Sequence, residues 1–308
     1  VPLNWKYNLI KLISRMLCLL PYPALLGCGK VLGWLYYRVA ARDRERAIAQ
    51  IQAGLHLTRE QAIPIIRRLF TKVAQSFLEF LYMPALTPAK LQKYVTIENR
   101  EHLEAAVNEG RGVVLLTAHF GNWEWLGAAL AAAGFPMAGV ARPQPSEAFN
   151  RVINEYRTMC GVEVYSRGTT EIVAAAKAVK RGKVMGFLAD QDGGKNGVFV
   201  EFFGKMASTP LGAATFAKRF KAPVVPAFII RKSTGGHHIM LQPPLHCPDT
   251  GDDRRDLVEF TKLLVKITED MIRQYPDEWL WFQRRWRTPY RGTATDSPAV
   301  AGKTGEAG

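Results

Sequence analysis

The stretch that most constrains this chain runs from Gly112 to Trp125, GVVLLTAHFGNWEW. Its continuous apolar run, Gly112 to Ala118, is of the kind required by a strand buried on both faces. His119 follows the last strand residue, Gly121 and Asn122 are good turn and N-cap residues, and Trp123 to Ala133 reads as an Ala- and Leu-rich helix. A strand, a tight turn and a helix in this order indicate an α/β fold, in which ligands bind at the carboxyl ends of strands.

Within that turn His119 and Glu124 are five residues apart, which on one continuous helix would set them about 140° apart. They can meet only if His119 precedes the helix and Glu124 occupies its first turn, as the Gly-Asn pair suggests. There the helix dipole favours a carboxylate, which could hold the imidazole in one tautomer so that its other nitrogen acts as a base. The alternative is that Glu124 only caps its own helix.

The charge is lopsided, with 41 basic against 27 acidic residues for a net +14. Such an excess implies an anionic partner, either nucleic acid or an anionic membrane surface with phosphorylated lipids. No DNA-binding helix pair, RNA-binding sheet motif or zinc finger is readable, and the basic residues accompany apolar aromatics, so nucleic acid is set aside. Cys18, Cys28, Cys160 and Cys247 form no C-x-x-C pair and show no zinc spacing with the histidines. A reduced, cytoplasm-facing monomer without metal or cofactor is expected.

Residues 1–40 form the first unit. Their uncharged centre, Met16 to Gly29, has 14 residues, short of the roughly 20 that a spanning helix needs, and Pro21 and Pro23 break it. Flanking Lys and Arg and the aromatics Trp5, Tyr7, Trp34, Tyr36 and Tyr37 suggest a helical hairpin lying in one leaflet. A bent single span and an ordinary buried hairpin remain open. No cleavage-site pattern follows, so the segment is not read as a signal peptide. Residues 41–92 are a helical lead-in, with an amphipathic helix over Thr58 to Tyr82.

From residue 93 to 290 helices and strands alternate. Strands are predicted at Val113, Met137 to Ala141, Val162 to Tyr165, Lys183 to Ala189 and Val224 to Ile230, with a hairpin at Gly235-Gly236 returning through His238 to Gln242. The expectation is a mixed, mostly parallel sheet flanked by helices. A final helix spans about Arg255 to Tyr275, and residues 291–308 read as a disordered tail.

Polar clusters fall at or after the strand ends. Arg142-Pro143 is followed by Asn150, Arg151 and Arg157; Asp190-Gln191-Asp192 leads into the apolar VFVEFFG loop, Val198 to Gly204; Pro223 to Pro226 positions the next strand; and WLWFQRRWR runs from Trp279 to Arg287. Converging on one sheet edge, they mark a site. Phe199, Phe202 and Phe203 could line an acyl groove or belong to the core. Metal binding by the Asp-Gln-Asp run lacks His or Cys support.

In this combination and order the chain resembles the late acyltransferases of lipid A biosynthesis, part of the lysophospholipid acyltransferase-like superfamily. The carriers are the H-x4-[DE] block at His119 to Glu124, RPQPSEAFNRVINEYR at Arg142 to Arg157, DQDGGKNGVFVEFFGKMAS at Asp190 to Ser208 and the WLWFQRRWR ending. The resemblance implies a glycerolipid acyltransferase-like fold, an amino-terminal association with the bacterial inner membrane and a catalytic domain facing the cytoplasm. It further implies a His119/Glu124 couple, no metal, and an acyl carrier protein as donor in preference to coenzyme A. The Glu-Gly-Thr-Arg phosphate motif of the neighbouring glycerolipid enzymes is absent, which favours a phosphorylated glycolipid acceptor.

Independently, thioester-to-alcohol transfer needs a base for the hydroxyl proton and no acyl-enzyme, and the chain has no G-x-S-x-G elbow. His119 is therefore expected to act as the base with Glu124 orienting it. Arg142 is expected to stabilise the oxyanion or contact a phosphate, or else to form a structural salt bridge. Asn122, Asp190, Gln191, Asp192, Arg284 and Arg285 complete the expected substrate site. Alternatives are acylation of another glycolipid or a lysophospholipid, and a nonenzymatic lipid-binding protein.

Overall fold

A computed structural model describes residues 5–141, 145–166 and 169–292; Arg142 and the tail from residue 293 onward lie outside them. The chain begins with α1 (Trp5–Cys18) and α2 (Tyr22–Val39), separated by a break at Leu19 to Pro21, then α3 (Ala41–Leu55) and α4 (Arg59–Leu81). Two helices broken at the prolines stand where the hairpin over residues 1–40 is expected, but they do not form a hairpin packed on itself: α1 lies against α8 and α4, and α2 against α4. Among the described residues no helix is long and apolar enough to cross a membrane.

Helix α4 starts at a capping box, Thr58 and Gln61 each bonding the other's backbone N–H. Helix α2 lies against it at backbone distance. A Cβ on Gly29 would meet Gln75 Cγ at 2.5 Å, and one on Gly33 would meet Thr71 Cα at 2.5 Å. These glycines let two helices touch.

After α5 (Pro88–Tyr94) come β1 (Val95–Glu98), α6 (Arg100–Asn108), β2 (Val113–Thr117), α7 (Trp123–Ala132), β3 (Met137–Ala141), α8 (Glu147–Met159), β4 (Glu163–Ser166), α9 (Thr169–Lys180) and β5 (Val184–Leu188). Then follow β6 (Val198–Phe202), β7 (Lys205–Thr209), α10 (Gly212–Phe220), β8 (Val224–Arg231), β9 (His237–Leu241) and α11 (Asp253–Gln274). A seven-stranded sheet has the order β1-β9-β8-β2-β5-β3-β4. Strands β8, β2, β5, β3 and β4 run parallel, while β9 pairs antiparallel with β8 and carries β1 at the edge. This is the mixed, mostly parallel sheet expected. The VFVEFFG segment is a strand, not a loop: β6 and β7 form a separate antiparallel hairpin.

All five residues of β2 are buried. Val113 and Leu115 face a core shared with α6, α7 and α8, whereas Val114 and Leu116 face one shared with α9, α10 and α11. A third apolar cluster joins α3, α4, the β6–β7 hairpin, Trp279 and Trp281. Phe202 and Phe203 are buried in this last cluster and Phe199, half-buried, packs on Tyr290; none of the three lines the groove under α7 described below.

Candidate active site

The register of two strands builds the centre of the site. Thr117 of β2 is paired with Leu188 of β5, and Ala189 N donates to Thr117 O at 3.2 Å. Two residues past each strand end, His119 and Asp190 therefore arrive side by side. His119 Nδ1 lies 2.8 Å from Asp190 Oδ1, and the other carboxylate oxygen accepts from Trp279 Nε1 (2.8 Å) and Gln283 Nε2 (3.0 Å). Burial alone would raise the Asp190 carboxyl, but the imidazole and these two donors outweigh it and hold the group well below the ordinary carboxylate range. An ionised Asp190 requires the proton on Nδ1, leaving the Nε2 lone pair outward. There Nε2 meets the amide of Gln191, an exposed residue, at 3.2 Å.

The turn that carries His119 is held from three sides. Gly121 has φ +58°, and a Cβ on it would lie 1.9 Å from Ile229 O, so no other residue fits. Its N–H donates to Glu278 O, and Leu280 N donates to His119 O, which ties the turn to the WLWFQRRWR segment. Asn122 caps α7 through Oδ1 to Trp125 N and donates Nδ2 to Glu79 Oε2.

Glu79 is the centre of a buried network unseen in the sequence. Its carboxylate accepts from Tyr22 Oη (2.6 Å), from both Nη atoms of Arg231 (2.6 and 2.7 Å), from Asn122 and from His237 Nε2 (3.0 Å). Burial would raise its pKa, but His237 and Arg231 hold it well below the ordinary value. The network joins α2, α4, β8 and β9 to the turn that carries His119.

Glu124 departs from expectation. It sits in the first turn of α7, as the spacing required, yet both its oxygens bond Arg157 of α8, at 2.8 and 2.6 Å. Trp123 touches both members of the expected couple, its ring meeting His119 edge-on at 5.0 Å and its Nε1 donating to Glu124. The carboxylate on the imidazole is Asp190's. The sequence places Arg157 in the cluster that follows Arg142 but gives it no role of its own. Its signal was an arginine four residues after Ile153, on the stripe where α8 buries Val152, Ile153 and Tyr156.

The remaining expected substrate residues divide. Gln191 lies at Nε2 of His119, and Arg284 is exposed. Asn122 is buried and spent on the cap and Glu79. Asp192 accepts from Arg287 Nη2 and from the Thr288 N–H and hydroxyl, holding the carboxyl-terminal segment in place. These donors leave the Asp-Gln-Asp run no cradle for a cation. Arg285 is only 1% exposed and donates to Ser208 O and Thr209 Oγ1. Its burial in an apolar core brings its pKa down to about 10. It is a structural clamp on β7, a correction to its expected place in the substrate site.

Beside the imidazole a narrow groove, part of it open to solvent, runs under α7. Trp123 and the Glu124–Arg157 pair stand along it, Leu126 and Gly127 roof it, and β2, β5, β3 and β4 supply its floor.

An α/β sheet with a histidine–aspartate pair at its strand ends and an apolar groove alongside defines an enzyme site for a substrate with a long apolar part. Residues 1–288 match the model of the bacterial lipid A biosynthesis acyltransferase family, and the chain belongs to that family of acyltransferases. It is 26% identical to a lipid A biosynthesis acyltransferase of Haemophilus influenzae, over 84% of this chain and 80% of the relative. It is 26% identical to the lipid A biosynthesis lauroyltransferase of Escherichia coli K12, over 89% and 88%. With the phosphatidylinositol mannoside acyltransferase of Mycolicibacterium smegmatis the identity is 27%, over 72% of each.

Proposed function

We propose that this enzyme moves a fatty acyl chain from an acyl carrier protein thioester to a hydroxyl of a phosphorylated lipid A precursor, with His119 as general base and Asp190 as its orienting partner. The observation that carries the reading is the pairing of Nδ1 with a buried carboxylate while Nε2 faces only the side chain of an exposed glutamine, next to an apolar groove.

The acceptor hydroxyl takes the place of the Gln191 amide at Nε2. As its oxygen attacks the thioester carbonyl carbon, its proton passes to Nε2, and Asp190 stabilises the imidazolium so formed. The tetrahedral intermediate collapses by breaking the carbon–sulfur bond, and the departing thiolate takes the proton from Nε2. Arg157, which its ion pair with Glu124 keeps protonated despite burial, brings a positive charge to the groove for the developing oxyanion or a substrate phosphate. Glu124 thus acts through Arg157. Arg142 retains its proposed anion-binding role.

The enzyme works on the cytoplasmic face of the inner membrane. Leu9, Leu12, Ile13, Met16 and Leu19 at the amino terminus, with Val31, Trp34, Leu35 and Val39 of α2, are large apolar side chains left exposed. A patch of this kind with basic flanks fits an anionic bilayer surface. The similarity to a mannoside acyltransferase favours, as a second reading, another glycolipid as acceptor.

Purified enzyme offered acyl carrier protein or coenzyme A thioesters, with a lipid A precursor, a phosphatidylinositol mannoside or a lysophospholipid as acceptor, tests the assignment by product mass. The lipid A precursor with the carrier-protein donor is expected to react fastest. Preferential acylation of the mannoside would establish the second reading, and of the lysophospholipid would overturn both.

A further inference from the structure

Three glycines face the groove beside His119, and two of them are cross-strand neighbours. Gly139 of β3 pairs with Gly186 of β5, which in turn pairs with Leu115 of β2, and all three line the groove. They lie one pleat step below the Thr117–Leu188 row that leads to His119 and Asp190. The third, Gly127 of α7, lies on the roof.

The backbone gives no reason for glycine at these places. None of the three has a positive φ. Glycine in central strands weakens a sheet and often marks where something approaches the backbone closely. Space supplies the reason. A Cβ on Gly139 would meet nothing within 4 Å, one on Gly186 only Ala138 O at 3.6 Å, and one on Gly127 only Val162 Cγ2 at 3.5 Å. By contrast, Gly29 and Gly33 are excluded from bearing side chains by their neighbours. Protein interiors close-pack, yet here both floor and roof carry glycines among Leu115, Leu126, Val164 and other apolar groups.

We propose that Gly127, Gly139 and Gly186 form the bed of the transferred acyl chain and that the Gly139–Gly186 step sets how long a chain the enzyme accepts. This rests on the acyltransferase reading above. The methylenes of the donor's chain fill the space that the missing side chains leave, with the thioester held at the Trp123 end beside His119. A Cβ at 139 or 186 meets open space or ordinary contact distance, so a side chain added there takes up groove space that the long chain needs.

Gly139→Leu and Gly186→Leu, with Gly139→Ala as the small step, are to be compared with the native enzyme on acyl thioesters of graded length. Unfolding midpoints are expected to stay at or above the native value. The Leu variants should lose at least about tenfold in kcat/KM on the longest donor used well by the native enzyme, retain the shorter donors, and show Ala in between. The same profile on all donors as native, or an equal loss on all with the fold intact, overturns the proposal.

A second readout needs no turnover. Displacement of a fluorescent long-chain fatty acid by unlabelled fatty acids of graded length should show the same shortening in the Leu variants. A native protein that binds the probe with this length preference but acylates no acceptor would defeat the acyltransferase reading and leave the groove assignment standing. Unchanged probe binding in the variants would defeat the assignment alone. A length shift that follows the acceptor's chains and not the donor's would place an acceptor chain in the groove and overturn the proposal.

Discussion

His119→Ala is expected to lower turnover by about 10² to 10⁴-fold, the range for loss of a positioned general base, while the unfolding midpoint stays near native. Asp190→Asn should cost on the order of 10³-fold in kcat, because an amide in that place no longer demands the proton on Nδ1. The two residues act as a unit, so the double variant should lose little beyond His119→Ala alone. Glu124→Gln leaves the imidazole and its partner in place and frees Arg157. It should therefore cost less in kcat than Asp190→Asn. Steady-state kinetics on the three variants checks the ranking. A mild Asp190→Asn beside a Glu124→Gln as damaging as His119→Ala would restore the couple that the spacing suggested.

The second large effect is on stability. Glu79→Gln leaves the Arg231 guanidinium buried without its counter-charge and His237 Nε2 without its charged acceptor, a loss of about 3–5 kcal/mol for a broken buried pair. The sign of the accompanying pH effect follows from the carboxyl's lowered pKa in the folded state. The stabilisation is fully present above the unfolded carboxylate pKa, roughly 4.3. It is lost progressively as pH falls toward the depressed folded value, where the unfolded chain binds the extra proton. Denaturant unfolding across acid pH should give a shallower slope in Glu79→Gln than in the native protein. An unchanged midpoint and slope would mean that the network around Tyr22, Asn122 and Arg231 contributes nothing net.

The contrast between His119 and Glu79 shows which kinds of information sequence carries. His119 was legible because its strand, turn and helix are consecutive: a fully apolar run, a Gly-Asn turn and an Ala-rich helix are local patterns with local causes. The alternation of strands and helices announced the mostly parallel sheet for the same reason. The partner of His119 was not legible. Asp190 lies 71 positions away in sequence, and only the β2–β5 pairing, a choice made by the whole sheet, brings the two strand ends together. Glu124 looked right in sequence because it was near, and Trp123 and Arg157 claim it instead. Glu79 was hidden by a similar cause. Within an amphipathic pattern one glutamate reads as a solvated position, and its four partners come from distant elements. Arg285 shows the converse, since an Arg-rich run suggests a surface while the β6–β7 hairpin folds over this one residue and encloses it.

The most direct test of the central claim is the mass of lipid A made by a host that lacks its own late acyltransferases and expresses this chain or its His119→Ala variant. The account predicts a gain of one acyl chain with the native sequence and none with the variant at equal abundance in the membrane. The same gain with both would remove His119 as the base, and no gain with either would contradict a lipid A precursor as the acceptor.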